Sequence, residues 1–138
     1  MADLVRVSFT IDAELYRKME RLLERTPHAN RSEFIRDLVR ARLVEEDWKA
    51  DEEAVGTITM VYNHETRRLT DKLTSLQHEH HHAIMATTHV HLDHHLCAEM
   101  IMVRGRPRII EELADQLGQQ KGVLHASLSM GSTGKKLA

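Results

Sequence analysis

Residues 5–11 alternate strictly. Val5, Val7, Phe9 and Ile11 point one way, while Arg6, Ser8 and Thr10 point the other, which predicts a short strand with one apolar face. Asp12 follows in a capping position, and Leu15, Met19, Leu22 and Leu23 then form an apolar stripe at helical spacing. Thr26-Pro27-His28-Ala29 breaks that helix. Asn30-Arg31-Ser32-Glu33 reads as a capping box for a second helix, which carries Phe34, Ile35, Leu38, Val39 and Leu43 on one side. Strand, helix and helix therefore occupy about forty-five residues, too few to bury a core of their own. The single strand also leaves both edges unpaired. Pairing with the same strand of a second chain cures both problems. The expected module is an intertwined dimer with a two-stranded antiparallel ribbon, the ribbon-helix-helix architecture that reads the DNA major groove with strands.

The remaining residues predict a second domain of another kind. Val55 to Asn63 reads as a strand, Glu65 to His80 as a helix, and Ile84 to Leu92 and Leu96 to Val103 as a hairpin. Pro107 opens a helix with Ile109, Ile110, Leu113 and Leu117 inward, and Val123 to Leu128 forms a last strand. The order βαββαβ is a ferredoxin-like (ACT-like) layout, so the fold class is α+β. We assign 1–48 to the ribbon-helix-helix domain, 53–130 to the ferredoxin-like domain and 131–138 to a flexible tail.

Composition excludes several classes. No apolar run in the 138 residues approaches a membrane span of about 18 residues, and the opening residues do not read as a signal peptide. One cysteine cannot form an internal disulfide, which points to a reducing, cytoplasmic setting. Net charge is −2, but nine Lys/Arg stand against six Asp/Glu between Val5 and Arg42. That mildly basic head suits DNA. Arg6 can bond guanine bidentately, and Ser8 and Thr10 hydroxyls suit either base type. Asn30, Arg31 and Ser32 lie where the second helix offers free amides to a phosphate.

The lone Cys97 closes a histidine-dense stretch. His89 and His91, two apart on a predicted strand, project from one face, and a short turn returns Cys97 beside them. This nitrogen–sulfur set suits a late first-row ion rather than magnesium or calcium. A fourth donor comes from elsewhere. His78, near the end of the preceding helix, is available to its own hairpin or to a partner's. Tetrahedral binding would suit zinc, and square-planar binding nickel(II) or copper(II). Glu99 could serve a hydrolytic zinc site as a base, or hold a ligand histidine in place. No His-Glu-x-x-His segment, phosphate loop or nucleophile motif is present, so we expect no enzyme.

The chain resembles the nickel-responsive transcriptional regulators, the NikR family, along nearly its whole length. The carriers are Arg6-Val7-Ser8-Phe9-Thr10-Ile11-Asp12, Asn30-Arg31-Ser32-Glu33-Phe34-Ile35-Arg36-Asp37, Val61-Tyr62-Asn63-His64-Glu65, Gln77-His78, and His89-Val90-His91 followed by Cys97. The resemblance implies one square-planar nickel ion (Ni2+) per subunit, with His89, His91 and Cys97 from one chain and His78 from another. It implies a homotetramer, a dimer of dimers, that binds inverted-repeat operators when loaded and represses nickel uptake genes. It places Arg6, Ser8 and Thr10 at the bases, Glu99 and Tyr62 beside the ligands, and a weaker cation site at Glu33 and Asp37. It assigns nothing to His80, His81, His82, His94 or His95. The rival readings are a regulator of the same architecture sensing zinc, copper or cobalt, and a metal storage or delivery protein that binds no operator.

Overall fold

In the computed structural model, residues 3–27 and 30–137 are described. His28 and Ala29, in the expected break, lie outside them. The chain divides into two compact units, one made of the residues up to Leu43 together with Leu137, and the other running Val44–Lys136.

The first unit is built by its caps. Asp12 accepts from the backbone N–H groups of Glu14 (2.9 Å) and Leu15 (3.2 Å) and opens α1, Ala13–Arg25. Asn30 accepts from the N–H of Glu33 at 2.9 Å and opens α2, Arg31–Lys49. Only the cap half of the capping box forms, because the Glu33 carboxylate turns to Arg36 instead. The strand expected at residues 5–11 is not a ladder in the single chain. Among the described residues it has no partner strand, and Val5, Val7 and Phe9 stand 82%, 76% and 60% exposed. α1 buries no residue at all. An amphipathic helix with no buried stripe is a surface waiting for a partner.

The second unit is a βαββαβ sandwich of one sheet and two helices. Its elements are β1 (Ala54–Asn63), α3 (Leu69–Glu79), β2 (Ile84–His91), β3 (Leu96–Gly105), α4 (Pro107–Gly118) and β4 (Val123–Met130). The strand order is β2-β3-β1-β4, antiparallel throughout, as a ferredoxin-like fold requires. α3 starts later than its leucine spacing suggests. Asn63 holds the N–H of Glu65 at 2.9 Å in a local turn, and Arg68 sits at φ 65°, so the chain cannot become helical before Leu69.

Alternation along β1 puts Ala54, Gly56, Ile58, Met60 and Tyr62 on the covered face. Cross-strand partners Ile101, Glu99 and Cys97 join them from β3. α4 closes this face with Ile110, Leu113 and Leu117, all 0% exposed, and α3 adds Leu69 and Leu73. Trp48, in the last turn of α2, belongs to this core rather than to the first unit. Residues 131–137 are described, and Gly131 and Lys136 are bonded to the second unit rather than free.

Leu113 lies at the centre of the α4 face. Leu113→Ala is expected to destabilise the fold by about 2–5 kcal/mol, read as a lower urea midpoint with an unchanged slope.

Candidate metal centre

The site is a cross-strand row. Tyr62 on β1 pairs with Cys97 on β3, which pairs with His91 on β2. The next row is Met60, Glu99 and His89. Paired residues share a face, so the sheet register alone puts thiol, imidazoles, phenol and carboxylate together. Asp93 shapes the turn that returns β3 to β2: its carboxylate accepts from the N–H groups of His95 (2.7 Å) and Leu96 (2.8 Å). Those two bonds hold the Asp93 carboxyl below the usual range.

Cys97 Sγ stands 3.3 Å from His91 Nδ1. Donor atoms of His64, His91 and Cys97 all lie within 4.8 Å of one another. The His89 and His91 rings are 5.1 Å apart, and His89 also lies 6.2 Å from the Tyr62 ring. Cys97 is fully buried, whereas His89 and His91 are exposed, because β2 forms the sheet edge and the helices do not cover it. His78 is exposed on α3, its ring 5.8 Å from that of His81, and does not join the donors within this chain.

Beneath the donors lies a polar floor. Glu99, 9% exposed, accepts from Tyr62 Oη at 3.3 Å and from Gln77 Nε2 at 3.0 Å. The Tyr62 hydroxyl is pushed up to about 12, first by burial and then by the charges of Glu99 and Cys97. Burial also raises the Cys97 thiol, with Asp93 and Glu99 adding to it. In the metal-free protein the sulfur therefore keeps its proton. A bound cation would reverse that balance, because only the thiolate ligates. Soft and borderline donors, one of them buried, within a few ångströms on an open edge fit a late first-row ion.

Two residues at the site are not marked by ligand spacing. His64 sits at the end of β1, its Nε2 2.7 Å from His94 O and its ring 5.8 Å edge-on to His91. No local spacing joins it to His91, since the contact depends on how β1 and β3 pair. Gln77 was legible: it continues the Leu69, Leu73 stripe of α3, and a polar side chain on a buried stripe seeks a buried partner.

The expected DNA and weak-cation residues are distributed as follows. Arg6, Ser8 and Thr10 are exposed, as are Asn30, Arg31 and Ser32. Arg31 already binds Glu20 Oε1 (2.7 Å) and the Tyr16 hydroxyl (2.9 Å), its guanidinium 5.8 Å from that ring centroid, so it fastens α1 to α2. Glu33 pairs with Arg36, and Asp37 with Arg40 at 3.1 Å. Each carboxylate is engaged a turn along its own helix, and an ion shared between them would have to displace an arginine.

Two family models cover nearly the whole chain. The ribbon-helix-helix protein, copG family, matches residues 5–46, and the NikR C terminal nickel binding domain matches residues 55–131. This chain belongs to the nickel-responsive regulator family. Relatives carrying that name are 49% identical in Geobacter metallireducens and 48% in Geotalea uraniireducens, each match covering 99% of both chains. A 44% identical relative in Solibacter usitatus matches equally fully. An uncharacterized protein from Thermotoga maritima shares the fold alone, with TM-score 0.53 and 16% identity over 57% of this chain and 98% of its own. Family membership makes the chain a regulator rather than an enzyme, with a DNA-binding module at one end and a nickel-binding domain at the other. No helix among the described residues is long and apolar enough to cross a membrane.

The raised hydroxyl gives a pH test. A folded-state value above the ordinary 10 means that the unfolded chain ionises first as pH rises. Stability from this group is therefore complete below pH 10 and declines between 10 and about 12. In metal-free protein, the ultraviolet titration difference between wild type and Tyr62→Phe should centre near 12. A midpoint at the ordinary tyrosine value would mean that the hydroxyl is not buried beside Glu99 and Cys97 in solution.

Proposed function

We propose that the protein is a nickel-sensing repressor that binds an inverted-repeat operator when loaded and restrains nickel uptake genes in the cytoplasm. One observation carries this reading: Cys97, buried and paired directly with His91, forms a donor group on an uncovered sheet edge that its own chain leaves incomplete. The proposed ligands are His89, His91 and Cys97 from one subunit and His78 from another, with one ion per subunit. Glu99 orients the donor row by holding Tyr62 on one oxygen and Gln77 on the other. Because Gln77 precedes His78, the same carboxylate also tethers the end of the helix that offers the fourth donor.

The assembly follows from uncovered surface. The apolar strand and stripes at Val5, Val7, Phe9, Leu15 and Leu22 suit a ribbon-helix-helix dimer, which would carry Arg6, Ser8 and Thr10 into the major groove. In the second unit, Val90 and Met102 on the open sheet face are 43% and 45% exposed, which supports joining two such dimers into a homotetramer. A ligand set completed between subunits favours the assembly that presents all four donors at once. Its effect on DNA is the difference in metal affinity between assemblies. Two operator-binding dimers held in one particle then raise the effective concentration at the second half-site.

A second reading rests on His64. With His91 and Cys97 it supplies three donors within a single chain, a set that suits a tetrahedral ion such as zinc without a partner. The two readings separate by substitution. His78→Ala should abolish the square-planar nickel–thiolate absorption while His64→Ala keeps it. The opposite result would move the nickel site to the intrachain trio.

Two further variants test the regulator itself. Cys97→Ala should fold, since the thiol is a small buried side chain, yet lose metal-dependent operator binding entirely in a gel shift. Arg6→Ala should retain nickel and lose sequence-specific binding by about 1–3 kcal/mol. Wild-type operator affinity in that titration would remove the ribbon from the mechanism.

A further inference from the structure

The segment after β4 lies where composition predicts a loose tail, yet it is bonded at both ends. Gly131 N–H donates to Val55 O at 2.7 Å, and Gly131 O accepts the Trp48 indole N–H at 2.9 Å. One residue therefore ties β1 to the last turn of α2. Five residues on, the Lys136 ammonium bonds the Glu52 carboxylate, on the connector between α2 and β1, and lies 4.0 Å from Asp47 in the last turn of α2. The ion pair is exposed and contributes little. The indole bond is the stronger part, because Trp48 is only 6% exposed and its N–H would be left unpaired without Gly131.

The seat for the indole is cut to shape. A Cβ on Gly56 would stand 3.3 Å from Trp48 Cη2 and 3.2 Å from both Leu128 Cδ1 and Ser129 O, so glycine lets the ring lie against the sheet. A Cβ on Gly131 would lie 2.8 Å from Val55 O, closer than a side chain tolerates. Neither position accepts even alanine without displacing its neighbours, and backbone atoms move least readily.

We propose that residues 131–136 are a strap that holds the last turn of α2 on the metal-binding domain, and that opening it weakens nickel-dependent operator binding while leaving the metal ligands intact. The operator half of this proposal rests on the function inferred above. α2 is one unbroken helix from Arg31 to Lys49, so its first turns carry the residues of the DNA-binding module and its last turn carries Trp48. The strap bonds that last turn and touches none of the metal donors.

Trp48 is the only tryptophan, so its emission reports the seat directly. The test uses full-length protein, a variant lacking residues 131–138, and the milder Gly131→Ala and Lys136→Ala. In the truncated protein and in Gly131→Ala, emission should move to the red and iodide quenching should rise, with a smaller change in Lys136→Ala. Nickel stoichiometry and absorption should match wild type. Nickel-dependent operator affinity should fall about tenfold, the size of one lost buried hydrogen bond. Unchanged emission and quenching in the truncated protein would overturn the strap. A red shift with wild-type operator affinity would overturn its link to DNA binding. If truncation prevents folding, the two point variants decide both questions by the same readings. If wild-type protein itself shows no nickel-dependent operator binding, the function proposed above fails, while emission still tests the strap.

Discussion

The row Tyr62–Cys97–His91 across three strands is the contact on which the rest of the second unit's chemistry depends. It is a consequence of register. Sliding β2 by one residue against β3 would turn both His89 and His91 to the opposite face and separate them from the thiol. The core fixes β3 against β1, where Ile58 meets Ile101 under Ile110, Leu113 and Leu117 of α4, and it holds β2 through Ile84, which pairs with Val103 and packs against the same core. Hydrophobic packing at one end of the sheet thus fixes the donor geometry at the other. The Asp93 turn allows β2 and β3 to meet without distorting that pairing.

The same sheet explains why the site is open. The helices cover β1 and β3 and stop short of β2, which remains exposed along its length. Cys97 is therefore sealed from below by the core, while His89 and His91 face outward at the edge. A buried thiol keeps its proton, and its neighbours Asp93 and Glu99 reinforce that. Metal uptake by that thiol would release a proton, so binding through it would weaken in acid. Incomplete surfaces recur in the first unit, where α1 buries nothing and residues 5–11 have no partner strand among the described residues. Both units contain surfaces that one copy cannot satisfy, a condition under which ligand binding and association are linked free energies.

Polar residues beneath the donors do more than fill space. Glu99 uses one oxygen on Tyr62 and the other on Gln77, so a single carboxylate joins β1, β3 and the end of α3. At the far end of β1, Gly131 joins β1, β4 and the last turn of α2 in a comparable way. One junction uses an ionisable side chain and the other backbone groups, and each bonds a helix end to the sheet.

Much of this was legible in the chain. Caps at Asp12 and Asn30 and the order of six elements after residue 53 are local patterns, written by side-chain spacing and backbone preference. His89, His91 and Cys97 belong to the same class, because a hairpin brings near neighbours in sequence together. Other features were decided only by tertiary packing. His64 reaches His91 through the pairing of β1 with β3, Trp48 leaves the first module for the second core, and a tail of glycine and lysine is bonded in place. Arg31 turns to Glu20 and Tyr16 on the neighbouring helix, and α3 waits for Leu69 because Arg68 adopts a left-handed conformation. Short-range order is set by each residue's own stereochemistry and by neighbours three or four positions away. These contacts exist only once strands and helices far apart in the chain have packed against one another.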